Sequence, residues 1–374
     1  MNISQESDRR QPLPPGKTPE NQAPNLKVRT GQPQPLASNL GAVPHRRRPR
    51  VAVTIKDVAL ASGVHVSTVS RTFSAAHLVN ADTRTRVLAA ASALGYRPNR
   101  AARALSTRRT GNLGLIVADI ANPFFPPLIK AAQAHARRSD HHVFVADTDE
   151  QARVEEELIR SMATQVDGAL LVAPRLSNRL IAELSADVPF VVVNRQPAGL
   201  PAVLMDVASG AGQAVDHLAT LGHHEIALLT GPRASWTNQR LERAAEEAAL
   251  RRGLVLHGVG PNQPTEEGGA AAAREVLDLG ATAVLAYNDL VALGLVQELR
   301  DLGASVPGDL SVVGVDNTHT ARHCDLTSID MPTAAAGRSA IDLLLHRISS
   351  GDSPGTVTLD TRLVVRGSTA PPPA

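Results

Sequence analysis

The sequence predicts an N-terminal all-α domain followed by an α/β core of two lobes, each built on a parallel sheet. Two observations support this fold class. Near the N-terminus, residues 54–71 have the spacing of a helix-turn-helix. From Asn112 onward, short apolar runs alternate with amphipathic stretches of about 10–20 residues, which is typical of βαβ units. The roughly 250 residues of this second part suffice for two lobes.

The helix-turn-helix prediction rests on three positions. Ala59 is small where two helices must approach closely, and Gly63 permits the positive φ of a tight turn. Val69, six residues later, would bury the inner face of the second helix. The positions then left to face phosphates and base edges are Thr68, Ser70 and Arg71. The alternative is a small helical bundle with a chance turn.

A third helix and a short fourth one are predicted after this motif. Asn80 is a suitable N-cap for a helix over Ala81–Leu94, which Gly95 would end. Pro98 then breaks the chain, and residues 100–106 could form about two helical turns. Because so short a helix is marginal in water, we expect it to order only when another element holds it. It is therefore a candidate switch.

Seven apolar runs of the second part read as buried strands. Their residues are 113–117, 143–146, 169–172, 190–193, 226–229, 283–286 and 310–315. In open parallel sheets, ligands bind at the carboxyl ends of the strands, so a ligand crevice is expected there.

Charge is distributed unevenly along the 374 residues. Residues 1–110 hold 18 Lys and Arg against five acidic residues, whereas the remainder holds 20 basic and 31 acidic residues. Because residues 1–110 are basic and the remainder is acidic, a polyanionic partner is favoured for residues 1–110 alone. Residues 1–50 are rich in Pro, Gln and Arg and are predicted to be a disordered tail. Nonspecific phosphate attraction by this tail, an inert tail, and a translation start near Val51 all stay open.

Several classes of protein are disfavoured. One cysteine, Cys324, allows no intramolecular disulfide and favours a reducing, cytoplasmic compartment. No apolar run approaches the length of a membrane span, so no membrane partner is expected. A polar N-terminus without a signal-peptide core disfavours an exported solute-binding module. The sequence shows no catalytic constellation, which disfavours an enzyme on a doubly wound fold.

Ordered motifs along the chain resemble the lactose-repressor (LacI/GalR) family of bacterial transcription regulators. They are TIKDVA (54–59), TVSR (68–71), LGYRPN (94–99), DIANPFF (119–125), LGHHEIA (221–227), ND (288–289), VPGDLSVVGVD (306–316) and LVVRGST (363–369). The resemblance implies a hinge helix after the helix-turn-helix and a core like periplasmic sugar-binding proteins. It also implies a dimer, or two dimers joined, that binds a near-palindromic operator in double-stranded DNA.

The resemblance also implies which residues meet DNA. Val66, Ser67 and Arg71 occupy positions facing major-groove bases, and Leu105 occupies the hinge position that wedges into the minor groove. The full predicted DNA-binding set is Thr54, Val66, Ser67, Thr68, Ser70, Arg71, Asn99, Arg100, Arg103 and Leu105.

An effector site is implied between the lobes. Its predicted residues are Asp119, Asn122, Phe124, Phe125, Arg195, Trp236, Arg240, Asn288 and Asp316. Carboxylate, amide and guanidinium groups beside an aromatic face suit a sugar, polyol or related metabolite. As ordinary alternatives, Asp316 or Arg240 could be a cap or surface charge, and the two phenylalanines could be core.

Four positions depart from the family pattern. His65 stands where the family commonly has a serine N-cap, and Arg243-Ala244 replaces a usual Gly-Phe. Pro264 replaces a frequent aromatic, and Asp316-Asn317 replaces a common Asp-Asp. The last three departures bear on the identity of the effector.

No cofactor, metal site or catalytic residue is predicted. Ser209-Gly210-Ala211-Gly212 lacks the remainder of a dinucleotide fingerprint, so a helix start is favoured. The pairs His141-His142 and His223-His224 have no metal-ligand spacing and are interpreted as surface histidines.

The sequence thus predicts an effector-responsive transcriptional repressor of carbohydrate-related genes. The predicted division is a tail (1–50), a helix-turn-helix domain (51–98), a hinge helix and linker (99–110), and an effector-binding and dimerisation core (111–370). Within the core, the first lobe comprises residues 111–205 and 332–358, and the second comprises 206–331 and 359–370. The effector, the operator, and inducer or corepressor action stay open. The lack of a C-terminal leucine heptad favours the dimer.

Overall fold

The computed structural model describes residues 53–97, 109–353 and 355–373. The predicted tail (1–50) and all but the last two residues of the predicted hinge and linker (99–110) lie outside these residues. Within the described part, the chain forms 12 α-helices, one 3-10 helix and 12 strands. No helix there is long and apolar enough to cross a membrane.

The N-terminal helices form a small unit with its own core. They are α1 (Ile55–Ser62), α2 (Val66–Ser74), a 3-10 turn (Ala76–Leu78) and α3 (Ala81–Leu94). Gly63 ends α1 with a φ of 66°, as the tight turn requires. Val58, Val69 and Val87 are fully buried against one another's helices. The predicted third helix is confirmed at both ends, because Asn80 Oδ1 accepts from Asp82 N at 2.9 Å and Gly95 adopts a φ of 67°.

The first sheet of the core is entirely parallel. Its strands, given in chain order, are β1 (Asn112–Val117), β2 (His142–Asp147), β3 (Gly168–Val172), β4 (Phe190–Val193), β5 (Ala202–Met205) and β11 (Thr356–Leu359). Their spatial order is β11-β5-β4-β3-β1-β2. Helices α4 (Phe125–Arg138), α5 (Ala152–Met162), α6 (Asn178–Leu184) and α12 (Thr333–Ser350) accompany this sheet.

The second sheet repeats this arrangement. Its strands are β6 (Glu225–Leu229), β7 (Val255–Val259), β8 (Ala283–Ala286), β9 (Ser311–Asp316), β10 (Thr327–Asp330) and β12 (Arg362–Val364), and all but β12 are parallel. The order is β12-β10-β9-β8-β6-β7. Its helices are α7 (Val207–Leu221), α8 (Trp236–Arg252), α9 (Glu266–Asp278), α10 (Asp289–Asp301) and the short α11 (His319–His323).

All seven predicted strands are present, and five more were not predicted. Three of these five, β7, β11 and β12, are edge strands whose residues, with one exception, are exposed or half-buried. An edge strand is covered on fewer sides than a central one, so it lacks the continuous apolar run that marks a buried strand. The two-lobed α/β fold class itself is confirmed.

The chain passes between the two sheets three times, at Asp206, at residues 331–332 and at residues 360–361. The first and third crossings are bonded to each other. Asp206 N donates to Leu359 O at 2.9 Å, and Thr361 Oγ1 donates to Asp206 O at 2.6 Å. These bonds hold the crossing segments together as one narrow connection.

One sequence prediction about histidines is wrong. His223 is not a surface residue, since only 1% of it is exposed. Its Nδ1 lies 2.8 Å from Thr282 Oγ1, and its Nε2 lies 2.9 Å from Ala370 O. Because a carbonyl can only accept, Nε2 carries the proton, and burial lowers the pKa of His223. This neutral imidazole thus helps to fix the C-terminal segment on the second lobe.

Candidate functional site

The second helix of the N-terminal unit presents a polar face. Val69 and Thr72 are buried, whereas Ser67, Ser70 and Arg71 are exposed. The predicted positions Val66 and Thr68 are half-buried at the edges of that face.

The departure at His65 has a structural solution, because histidine serves here as the N-cap of α2. His65 Nδ1 accepts from Ser67 N at 3.3 Å and lies 2.9 Å from Ser67 Oγ. An imidazole nitrogen thus replaces the usual hydroxyl acceptor.

Thr54 lies at the start of α1. Its backbone N–H and its hydroxyl each donate to Asp57 Oδ2 at 2.8 Å, as part of a capping box. Of the remaining predicted DNA-binding residues, Asn99, Arg100, Arg103 and Leu105 lie outside the described residues.

A crevice lies where the carboxyl ends of the two sheets meet. The first-sheet side is lined by Asn122, Phe124, Phe125, Glu150, Ala173, Arg175 and Asn194. The second-sheet side is lined by Thr237, Pro264, Tyr287, Asn288, Val315 and Asp316, with Met331 at a crossing. Aromatic rings, carboxylates, amides and one guanidinium therefore surround the same space.

Five of the nine predicted effector-site residues line this crevice. Phe124 and Phe125 pack edge to face, with ring centroids 5.0 Å apart. Asn122 Oδ1 accepts from Phe124 N at 2.9 Å and so fixes the loop that carries both rings. Asn288 is the N-cap of α10, where its Oδ1 accepts from Val291 N at 2.8 Å. Asp316 ends β9.

The other four predicted residues do not line the crevice. Asp119 Oδ1 accepts from Ala121 N at 2.8 Å, within its own loop. The Arg240 guanidinium lies over the Trp236 ring, 5.7 Å from its centroid, and Arg240 is exposed. Arg195 reaches towards the second lobe, since its Nη1 donates to Ala234 O at 3.4 Å and to Pro174 O at 3.2 Å.

Sequence reasoning missed an ion pair in the first-sheet wall. Arg175 Nη2 donates to Glu150 Oε1 at 2.8 Å, and its Nε also contacts that carboxylate. Arg175 Nη1 donates to Ala173 O at 2.8 Å. Glu155 lies beneath, where its carboxylate accepts from Arg175 N at 2.8 Å, and burial raises the pKa of this glutamate. Glu150 follows β2 and Arg175 follows β3. This position after a strand is the one sequence signal that could have located the ion pair.

Two carboxyl groups lie on the second-sheet side: Asp316 lines the crevice, and the neighbouring Asp289 is fully buried. Asp289 Oδ1 accepts from Ser328 Oγ at 2.6 Å, and its Oδ2 accepts from Thr318 N at 2.7 Å. Burial raises the pKa of Asp289 from 3.8 to about 6 despite these bonds. Burial, and then the neighbouring Asp289 carboxylate, raise the pKa of Asp316 well above its ordinary value.

A second space, the outer groove, adjoins the crevice. The two share Phe124, Asp316 and Met331. Further along, the outer groove is bordered by His319 and Arg322 of α11 on one side and by Thr333 of α12 on the other. The outer groove therefore lies between the crevice and α11.

A helix-turn-helix unit in the same chain as a two-sheet core with a polar crevice defines a DNA-binding regulator with a ligand-binding core. Comparison with known proteins supports this class. Residues 54–99 match the family of bacterial regulatory proteins, lacI family, and residues 215–369 match a periplasmic binding protein-like domain. The chain belongs to the lacI family, and it is a transcriptional regulator, not an enzyme.

Individual relatives span nearly the whole chain. The HTH-type transcriptional regulator GalS of Salmonella typhimurium is 34% identical over 314 residues, covering 79% of this chain and 89% of that protein. The HTH-type transcriptional repressor CytR of Escherichia coli is 33% identical over 336 residues, covering 86% and 98%.

Solved structures agree with these relatives. The lac repressor dimer bound to operator and the anti-inducer ONPF superposes with a TM-score of 0.76 at 26% identity, covering 85% of this chain and 99% of that one. The complex of the regulator CelR with cellobiose gives 0.64 at 30% identity, covering 84% and 99%.

Proposed function

We propose that this regulator represses carbohydrate-related genes by binding a near-palindromic operator as a dimer, and that a sugar-like effector in the crevice controls the binding. The proposed division assigns DNA binding to residues 51–98, coupling to the hinge at 99–110, and effector binding to 111–370. Operator binding would take place in the cytoplasm, where bacterial DNA lies.

One observation carries the proposal: a crevice with polar and aromatic walls joins two lobes in the chain that bears the helix-turn-helix. Relatives of known ligand support a sugar. CelR binds cellobiose, and a LacI-family regulator of Enterococcus faecium binds ribose. Hydroxyl groups of a sugar need both donors and acceptors, and the ring C–H surface needs an apolar cover.

The crevice residues divide these tasks. Phe124 and Phe125 supply the apolar cover. Asn122 and Asp316 supply groups for hydroxyl contacts, and Arg175 supplies donors from the opposite wall. Asn288 already caps a helix, so its contribution to ligand binding comes through the position of that helix. Asp119, Arg195, Trp236 and Arg240 stay candidates for contacts made after the lobes close.

The proposed mechanism couples closure to the hinge. A ligand held by both lobes favours one relative orientation of the two, and the hinge helices of a dimer form only in one orientation. A coupling free energy of about 1–3 kcal/mol changes operator affinity roughly 5–150-fold. An inducer would favour the orientation without hinge helices, and a corepressor the orientation with them.

A thermal-shift screen of the full chain with sugars, polyols and nucleobases tests the effector class. A ligand at about 100 times its Kd stabilises the folded protein by about 2.7 kcal/mol, which is measurable as a rise in Tm. We expect a sugar or polyol to raise Tm and to change affinity for symmetric promoter DNA. If no compound of either class changes Tm, and the dimer prefers no symmetric sequence over random fragments, the proposal is wrong.

The hinge assignment makes a separate prediction. Leu105→Ala should weaken operator binding at least about tenfold, because the apolar wedge that stabilises the bent complex is lost. Effector affinity should stay unchanged, since the crevice is formed by other residues. Fluorescence anisotropy with operator DNA and a thermal shift with the effector measure the two quantities. Unchanged operator affinity would contradict the hinge assignment.

A further inference from the structure

The geometry of α11 points to a transition-metal site formed by His319 and His323, outside the crevice. We propose that these two imidazoles chelate one divalent ion of borderline character, such as Ni²⁺, Zn²⁺ or Cu²⁺. The site is independent of the proposed effector. It also goes beyond the sequence analysis, which predicted no metal site.

The first observation is the spacing. His319 and His323 are four residues apart on one helix, so they share a face. Helical histidines at this spacing bind zinc in metalloproteases, where a glutamate follows the first histidine and acts as the base. Here Thr320 follows instead, so the pair is suited to binding an ion and not to hydrolysis.

The second observation is the separation of the two ligand atoms. His319 Nε2 lies 3.2 Å from His323 Nε2, and the ring centroids are 4.2 Å apart. An ion bound at about 2.0–2.1 Å holds two imidazole nitrogens about 2.9 Å apart at a right angle and about 3.3 Å apart at the tetrahedral angle. The observed separation lies between these values. The two nitrogens therefore already lie at a chelating distance, and the rings need only turn so that both lone pairs point to one ion.

The third observation is access. Both histidines are exposed, and His319 borders the outer groove. Among the described residues, no group of three His, Cys, Asp or Glu side chains is placed to hold an ion, so water completes the coordination. In the free protein one Nε2–H donates to the other nitrogen. Binding an ion moves that proton to Nδ1 or to solvent, and both Nε2 lone pairs then meet the metal.

The site lies close to the buried acid of the second-sheet wall. Thr318, the N-cap of α11, donates its backbone N–H to Asp289 Oδ2 at 2.7 Å. An ion that holds both ends of this five-residue helix therefore stabilises a segment bonded to that wall. A rise in Tm with added metal is the expected consequence.

The test is a calorimetric titration of tag-free, chelator-treated full-length protein with NiCl₂ and ZnCl₂ at pH 7.5. We expect one saturable equivalent per chain at this site. His319→Ala and His323→Gln should each weaken it at least about tenfold, because a single imidazole loses the chelate effect. The glutamine keeps a hydrogen-bond donor towards His319, so it separates metal binding from stabilisation of α11 by the histidine contact. His346→Ala, at an exposed histidine of α12, is the matched control and should leave binding unchanged.

Electron paramagnetic resonance with one equivalent of Cu²⁺ gives a second measurement. In the wild type, the copper signal should show hyperfine splitting from two imidazole nitrogens. In either variant, the splitting should come from one imidazole nitrogen. Folding of the variants is checked by circular dichroism, and because both side chains are exposed we expect no loss of structure. Absence of a saturable equivalent, or equal affinity in wild type and His323→Gln, would overturn the proposal.

Discussion

The two sheets of the core share one strand order and differ in the charges at their carboxyl ends. The first-sheet wall holds Arg175 against Glu150, so opposite charges compensate each other. The second-sheet wall holds Asp289 and Asp316, whose pKa values burial raises. The repeated topology fixes where side chains meet the crevice, whereas the sequence of each lobe decides the charge that the lobe presents there.

Removing the cation of the first-sheet wall should have the largest effect on the free energy of unfolding. Arg175→Ala leaves Glu150 without its cation and takes one of two nearby positive charges from the buried Glu155, so we expect the free energy of unfolding to fall by about 3 kcal/mol. Urea denaturation at pH 7 measures this. Arg153→Ala is the matched control, because Arg153 and Glu157 form an exposed pair worth under about 0.5 kcal/mol. Equal losses in the two variants would show that the buried pair is not what stabilises this wall.

The contribution of Asp289 to stability should decrease as pH rises, which is opposite to that of a carboxylate whose pKa folding lowers. The pKa of Asp289 is about 6 in the folded state against 3.8 as its ordinary value, so the folded protein binds the proton more tightly. The stability that this proton contributes is fully present below about pH 4 and is lost as pH rises through about 6. Above that pH, Asp289 causes no further change in stability. The raised pKa of Asp316 has the same sign.

Asp289→Asn should therefore remove much of this pH dependence. A pKa raised from 3.8 to about 6 corresponds to about 3 kcal/mol as an upper value. The amide can still accept from Thr318 N and can donate to Ser328 Oγ, so both contacts survive. We expect the variant to match the wild type at pH 4 and to exceed its stability at pH 7. Parallel pH profiles for the two proteins would rule out Asp289 as the titrating group.

The contact between the two walls should have the smallest effect. Arg195→Ala removes the long bond from Nη1 to Ala234 O at 3.4 Å, together with the bonds to Pro174 O at 3.2 Å and Asn178 Oδ1 at 2.7 Å within the first lobe. We expect a loss below about 1 kcal/mol in urea denaturation, and Arg195→Lys should differ little from it. A loss of several kcal/mol would contradict the small contribution expected for this arginine.

The fold could be predicted from the sequence where local chemistry decides it. Gly63 and Asn80 mark helix ends by their own conformational preferences, and Phe190–Val193 is apolar throughout because it is central in its sheet. The edge strands β7, β11 and β12 were missed, because most of their residues meet solvent, whereas the edge strand β2 contains the apolar run Val143–Ala146 and was predicted.

The crevice was only partly predictable, for two physical reasons. Glu150 and Arg175 follow different strands, and only the parallel sheet brings them together. Trp236 and Thr237 are neighbours on α8, yet about 100° of helical rotation separates them. Thr237 faces the crevice as a result, while Trp236 packs beside the exposed Arg240. The sequence locates such a helix near the site without fixing which of its faces is presented.

The three crossings between the sheets have a mechanical consequence. Segments tied side by side, as Asp206 is to Leu359 and Thr361, resist sliding and twisting but bend together about one line. We therefore expect the lobes to move relative to each other mainly about this line, so that a small displacement near the line grows with distance from it. Small ligands can in this way produce large separations at the far tips of the molecule.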